Sequence, residues 1–460
     1  MAYALAGNPN KAYQIATRLL DGARSGDIPG ANALGIGLNL KAALAVSTGR
    51  FSDAVPLIEE SQLSWEATVD SPHKAASRNN QAVVYAMLPK KYAGAETQFD
   101  GATILWRDIY GSQSAHVAGS RNNLGVLAIS QNRFAEAEDR LHKSLELARQ
   151  NFSAGSPGLF ASLNALTRLN TLFGRFPEAS QFEAEAKKST GLSPQLQMAH
   201  QAALGALLGG QGAYRDAAGS FGKALAIGKQ VAVPEHVFLG ELSTQKVAIA
   251  SLHERLAQTV TECQSAIENF DKELGADHPL VARTSNVLGW EYIRSDKKPE
   301  ARKQFKRAQQ IFAANRNEVG RSWDEGQTLA GLAQTFGRRE WNEGVNLLRD
   351  AVAVETEVFS PALGKSAASN DVDTPRTADY LFDEALLYTA TGGASNETKA
   401  ADLFERVMVI RERLLPKTHP ALAATYENYA KLLQKLDKKE QAAAMEKKAE
   451  RARELAKRNH

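Results

Sequence analysis

A small residue stands at the same place in an apolar pattern eleven times along this chain: Ala12, Ala54, Ala95, Ala137, Ala179, Ala217, Thr259, Ala301, Gly344, Ala400 and Ala442. The successive steps are 42, 41, 42, 42, 38, 42, 42, 43, 56 and 42 residues. A period this regular marks a repeat array, in which each unit is one supersecondary motif that buries its apolar face against its neighbours. The 460 residues therefore read as one extended solenoid rather than several compact domains.

Within a unit the apolar spacing is helical. In the segment Ala282 to Phe312, Leu288, Gly289 and Tyr292 share one face of a first helix, and Ser295 to Pro299 form a turn. Ala301, Phe305 and Ala308 follow at i, i+4 and i+7 on a second helix. Gly289 and Ala301 are expected to let the two backbones approach where they cross, with Tyr292 and Phe305 filling the space between hairpins. The same grammar recurs as Leu124, Gly125, Phe134, Ala137 and Leu141, and as Leu204, Gly205, Tyr214, Ala217, Phe221 and Ala224. Two units also open alike, through His278-Pro279 with Ala282 and through His419-Pro420 with Ala423.

This alternation, with an aromatic three residues before the central alanine, resembles the tetratricopeptide repeat in the 42-residue form of the kinesin-light-chain-like group. The resemblance spans essentially the whole chain. It implies an all-α fold, a right-handed superhelical solenoid of about eleven antiparallel hairpins whose first helices line the concave wall. A HEAT or armadillo solenoid shares the period and is the alternative, although the recurrent Gly and Phe-x-x-Ala signature is foreign to it. A β-propeller of similar repeat length would need period-two alternation.

Departures from the period divide the chain. Only eleven residues precede Ala12, so residues 1–30 read as a truncated first repeat, either a degenerate cap or, preferred, the start of a fragment that has lost an upstream part. Residues 31–359 read as regular repeats. The step of 56 places an inserted loop over residues 360–377, rich in Ser, Ala, Asn, Asp and Pro. Residues 378–460 hold the last two repeats and a basic capping helix, in which Ala442, Met445 and Ala449 keep a packing stripe.

Charge and composition exclude several functions. Lys and Arg total 55 against 52 Asp and Glu, so the net charge of +3 carries no footprint for nucleic acid or an anionic membrane. No apolar run is long enough for membrane insertion and the start lacks a signal-peptide pattern, which leaves cytoplasmic as the default. The single cysteine, Cys263, rules out an internal disulfide and reads as a small buried hydrophobe. His253 and Cys263 fall on opposite helices with no orienting acid, and His278 and His419 read as structural helix openers. No enzyme signature, metal site or cofactor motif emerges.

Asparagine repeats without belonging to the packing pattern. Asn39, Asn80, Asn122 and Asn164 each stand fifteen residues before the central alanine, and Asn286 returns to that place three units later. On first helices they would form a ladder along the groove, where an amide can grip the backbone of an extended peptide. The alternative is that each amide bonds its neighbour in the next unit. Arg168 and Trp290 follow one turn along, and Arg283 and Arg294 flank Trp290. The expected function is a scaffold that binds a peptide or helix of a partner protein through these nine residues. Two other readings stay open: the regulatory or substrate-recruiting array of a larger enzyme whose catalytic domain lies outside this chain, and a structural spacer.

Overall fold

A computed structural model describes residues 9–28, 32–48, 50–66, 68–231, 237–253, 259–337, 340–361 and 373–457. A single helix, α1 (Pro9–Ser25), precedes ten helical hairpins. The first five are α2 (Ala33–Thr48) with α3 (Phe51–Glu66), α4 (Pro72–Tyr85) with α5 (Tyr92–Tyr110), α6 (Ala115–Ser130) with α7 (Phe134–Asn151), α8 (Pro157–Leu172) with α9 (Phe176–Ala186), and α10 (Pro194–Gly210) with α11 (Tyr214–Val231). The second five are α12 (Val237–His253) with α13 (Thr259–Leu274), α14 (Pro279–Arg294) with α15 (Lys298–Val319), α16 (Trp323–Gln334) with α17 (Trp341–Phe359), α18 (Pro375–Thr391) with α19 (Ala394–Leu414), and α20 (Pro420–Lys435) with α21 (Lys439–Lys457). Of the unit expected over residues 1–30 the description holds α1, and residues 1–8 lie outside the described residues. The insertion is narrower than 360–377: Thr374 caps α18 by accepting from the Thr377 amide, so Pro375 to Thr377 are helical, and residues 362–372 lie outside the described residues.

Local chemistry explains where helices start and stop. Ser71, Ser114 and Ser193 accept from backbone N–H groups of the turn they open, and proline follows directly in α4 and α10. First helices close on a left-handed residue five before the central small one: Asn132 (φ 59°), Gly174 (70°), Gly212 (81°), Asp296 (57°) and Asp437 (57°). Glycine, asparagine and aspartate are the residues that tolerate this conformation.

The register read from the small residues is the register of the core. Ala54, Ala95, Ala137, Ala179, Ala217, Ala301 and Ala400 are each 0% exposed; the Thr259 side chain lies outside the description. The glycines act differently from expectation. A Cβ on Gly125, Gly205 or Gly289 would lie 2.7, 2.9 and 2.7 Å from Leu141, Phe221 and Phe305 respectively. Each glycine thus makes room for the large residue four after the central alanine, rather than for a bare backbone crossing. Phe305 also fills the space at Gly331 of the next hairpin, so one ring is held between two first helices.

Most first helices pack on the first helix of the following hairpin (α2 on α4, α6 on α8, α8 on α10, α12 on α14, α14 on α16), and successive second helices approach less closely. The array therefore curves with its first helices inside.

The curvature brings the chain back onto itself after five hairpins. The Met87 carbonyl, in the turn of the second hairpin, accepts from Nε2 of His278 at the opening of the seventh (3.0 Å). In the third hairpin's turn, Asn132 donates to the Val319 carbonyl (3.4 Å), just before the eighth. Gly174, in the fourth, lies against Pro375 of the ninth, and Gly212, in the fifth, against His419 and Pro420 of the tenth. Phe359 stacks on Phe134 (centroids 4.9 Å) and meets Phe173 edge-on (5.5 Å). A continuous seam thus joins the first superhelical turn to the second, and the inner wall bounds a bore.

Candidate functional site

The bore surface is the stripe of each first helix left open by its neighbours. On α6 the most open positions are His116, Gly119, Val126 and Ser130, with half-buried Asn123 between them, and on α8 they include Pro157, Ala161 and Arg168. Spacings of three and four define one helical face. Asn122 and Asn164 lie at the floor of this stripe, 9% and 8% exposed, and each has an amide oxygen that is buried without a hydrogen-bond partner.

The asparagines form rungs, but not a uniform ladder. Asn80 Nδ2 donates to Asn39 Oδ1 (2.9 Å) across α4 and α2. A second rung runs from Asn123 Nδ2 to Asn79 Oδ1 (3.0 Å), across α6 and α4. Counting only the position fifteen before the alanine missed Asn79 and Asn123, although the doublets Asn79-Asn80 and Asn122-Asn123 are plain in the sequence. An amide has two donor hydrogens and two acceptor lone pairs, so every amide in these rungs keeps capacity for a further partner.

The later candidates are tied into the stack. Asn286 is 2% exposed; it donates to the Asp324 carbonyl (3.3 Å) and accepts from Thr328 Oγ1 (2.9 Å). Arg283 pairs with Asp324 (2.7 Å) and lies 3.6 Å from Glu241, an ion ladder across α12, α14 and α16. Arg294 pairs with Glu291 one turn back. Trp290 is half-buried and sits edge-on to Phe305 (5.7 Å). These four do not join the asparagine rungs of the first four hairpins.

Charge is segregated between the layers. The five first helices α2, α4, α6, α8 and α10 contain no Asp or Glu, whereas the second helices α3, α5, α7 and α9 carry Glu59, Glu60, Glu96, Glu136, Glu138, Glu183 and Glu185 among others. Arginines at the start or in the last turn of the second helices find those acids: Arg133 meets Glu96 (2.9 Å), Arg175 meets Glu138 (2.5 Å) and Arg149 meets Glu185 (2.7 Å). Arg121 and Arg168, on first helices, have no carboxylate partner within 4.0 Å among the described residues.

No group of three or more His, Cys, Asp or Glu with metal-binding geometry occurs among the described residues. No described helix is long and apolar enough to cross a membrane. Cys263 is 1% exposed, and burial pushes its thiol up to about 12.

Ten stacked hairpins, with first helices inside and a bore along them, define an α-solenoid, a class of fold whose concave surface holds partners. A sequence model of the tetratricopeptide repeat matches residues 116–188 and 241–314, which span α6 to α9 and α12 to α15. A curated relative, kinesin light chain-related protein 2 of Arabidopsis thaliana, is 23% identical over 453 residues, which cover 92% of this chain and 63% of the relative. Residues 116–188 and 241–314 are thus tetratricopeptide repeats. The chain spans less than two thirds of that relative's length. Among solved structures, a Rap protein complexed with competence and sporulation factor superposes with a TM-score of 0.58 at 12% identity, covering 84% of this chain and 99% of that one. The quorum sensor NprR of B. thuringiensis, in apo form, gives a TM-score of 0.43 at 13% identity over 89% of this chain and 96% of that one.

Proposed function

We propose that the chain is a protein-interaction scaffold that holds an extended peptide along the first-helix wall of hairpins one to four, and that the peptide carries carboxylates. The observation that carries this reading is the wall itself: half-buried amide rungs with spare donors and acceptors, unpaired Arg168, and no acidic side chain on five consecutive first helices. Amides satisfy the backbone of an extended segment without demanding a sequence, and unpaired guanidinium groups favour carboxylates bidentately. The Rap structure, solved as a complex with another factor, supports the fold on which such binding is built and nothing finer.

Asn39, Asn80, Asn79, Asn123, Asn122, Asn164 and Arg168 are the residues proposed to hold it. Asn286, Arg283, Arg294 and Trp290 have partners within the stack and would at most extend the site. The test is a panel of fluorescent extended peptides of matched length, acidic, neutral and basic, titrated by anisotropy at low and high salt. Acidic peptides should bind, weaken as salt rises, and lose about tenfold or more with Arg168→Glu. Equal affinity for acidic and basic peptides would refute the charge reading. Binding untouched by Asn80→Ala, Asn123→Ala and Asn164→Ala combined would refute the site.

A further inference from the structure

The two histidines that open the seventh and tenth hairpins do more than start helices. Each caps its own helix through Nδ1: His278 accepts from the Leu280 amide (3.1 Å) and His419 from the Ala421 amide (3.1 Å). The rest of each ring reaches across the seam into the previous superhelical turn. His278 Nε2 donates to the Met87 carbonyl, while His419 lies against Gly212 and meets Tyr214 edge-on (6.2 Å). Both side chains are 8% exposed. With Nδ1 accepting, each ring must be neutral, and His278 must carry its proton on Nε2.

We propose that the seam between the superhelical turns is a proton-released latch, in which protonation of His278 and His419 parts the two turns and opens the bore while the hairpins stay folded. Adding a proton to Nδ1 removes the only lone pair available to the cap, so α14 and α20 each lose an N-terminal acceptor. The new cation would sit at a helix N-terminus, where the peptide dipoles repel it. The charged surroundings of His278 are Arg283 on its own helix, with Tyr92 of α5 beside that guanidinium. His419 faces Asp379 of α18 and Arg411 of α19, which pair with each other at 2.7 Å, and the Tyr214 ring of α11. Asp379 favours the cation and Arg411 opposes it, and the cost of burial outweighs both.

Burial holds both imidazoles well below the ordinary 6.5, at about 4. The sign follows from linkage: a base depressed in the closed state stabilises that state above its exposed value and loses the contribution as pH falls from 6.5 towards 4. At pH 5 each histidine favours the open form by about 30-fold and the two together by about a thousandfold, whereas at pH 7 the bias is less than about twofold. Parting the turns is separable from unfolding because each hairpin keeps its own neighbours.

The experiment uses the full chain, with a dye pair on Lys90→Cys and Asp277→Cys, on either side of the seam. Energy transfer, maximum dimension from X-ray scattering and far-ultraviolet helicity are followed from pH 7.5 to 4.5. Transfer should fall and the particle lengthen below about pH 6 with helicity retained. His278→Asn with His419→Asn keeps a cap acceptor but cannot titrate, so the transition should move down by at least about one pH unit. Calorimetry in two buffers should give an uptake approaching two protons on opening of the unsubstituted protein. A double variant that opens at the same pH, an uptake below one proton, or loss of helicity in step with loss of transfer would each overturn the latch.

Discussion

Phe359 offers the sharpest test of whether the seam carries stability. The ring is 1% exposed at the end of α17 and packs on Phe134 of the third hairpin and Phe173 of the fourth. Truncating a buried phenylalanine to alanine costs about 3–5 kcal/mol, and each aromatic pair is worth about 0.5–1.5 kcal/mol beyond area burial. Phe359→Leu keeps most of the volume and should lose about 1–3 kcal/mol; Phe359→Ala should lose the full amount. In an ordinary solenoid, where each repeat touches only its neighbours, that loss would stay in the eighth hairpin and those beside it. Here it should also appear in the Arg133 and Arg175 amides, which close turns on Ala128 and Asn170 at 2.9 Å each. Hydrogen exchange followed by mass spectrometry should find these two turns exchanging about 100-fold faster in Phe359→Ala, which corresponds to about 3 kcal/mol of local opening. Unchanged exchange at Arg133 and Arg175, with α16 and α17 loosened, would refute the idea that the seam holds the two turns together.

Four further outcomes follow from the packing and the buried groups. Gly331→Ala should destabilise by about 1–3 kcal/mol in urea unfolding despite alanine's better helix propensity, because the added methyl overlaps the Phe305 ring. Glu355 is fully buried, and desolvation raises its carboxyl to about 8 from 4.5. Its protonated form is therefore the stable one, with stability complete below about pH 4.5 and lost as pH rises through 8. Glu355→Gln should match the unsubstituted melting temperature near pH 4 and exceed it at pH 8.5. Asn286→Ala should cost about 1–2 kcal/mol by removing two buried hydrogen bonds, although Thr328 still donates to the Asp324 carbonyl (3.1 Å), whereas Asn123→Ala should change stability by less than about 1 kcal/mol. Ellman's reagent should modify Cys263 only as fast as the protein unfolds, since the thiol is buried and its ionisation suppressed.

Local order was readable from the chain because its causes are local. The central small residues, the aromatic three before them and the proline openers all act within one hairpin or between adjacent ones, so a 42-residue period exposes them. The first helices facing inward follow from the same register. Harder to see were contacts whose partners lie some 190 residues apart, such as His278 with Met87 and Asn132 with Val319. No local pattern encodes them, since they depend on the sum of many small rotations between hairpins. His278-Pro279 and His419-Pro420 did stand out as a recurrence, yet recurrence alone identified them as openers and not as bridges. The amide rungs were half visible: Asn39 and Asn80 lie in register, while Asn79 and Asn123 pair across a step of 44 that strict counting passes over.

The five-hairpin return limits how this array can change in length. An open solenoid gains or loses a unit by duplication or deletion with little effect beyond the new junction. In this chain, deleting the sixth hairpin would set His278 opposite the turn of the first hairpin instead of the second, and shift every later bridge by one. Asn132 would then face Pro375 at the opening of the ninth hairpin in place of the Val319 carbonyl, and Gly212 would lose the His419 ring it accommodates. Turns of the later hairpins could not take over as new docking edges, because Asp296, Lys297, Asp437 and Lys438 are charged and exposed to water. Length in such a protein is counted in whole coils, so single repeats cease to be the units that evolution can add or remove one at a time.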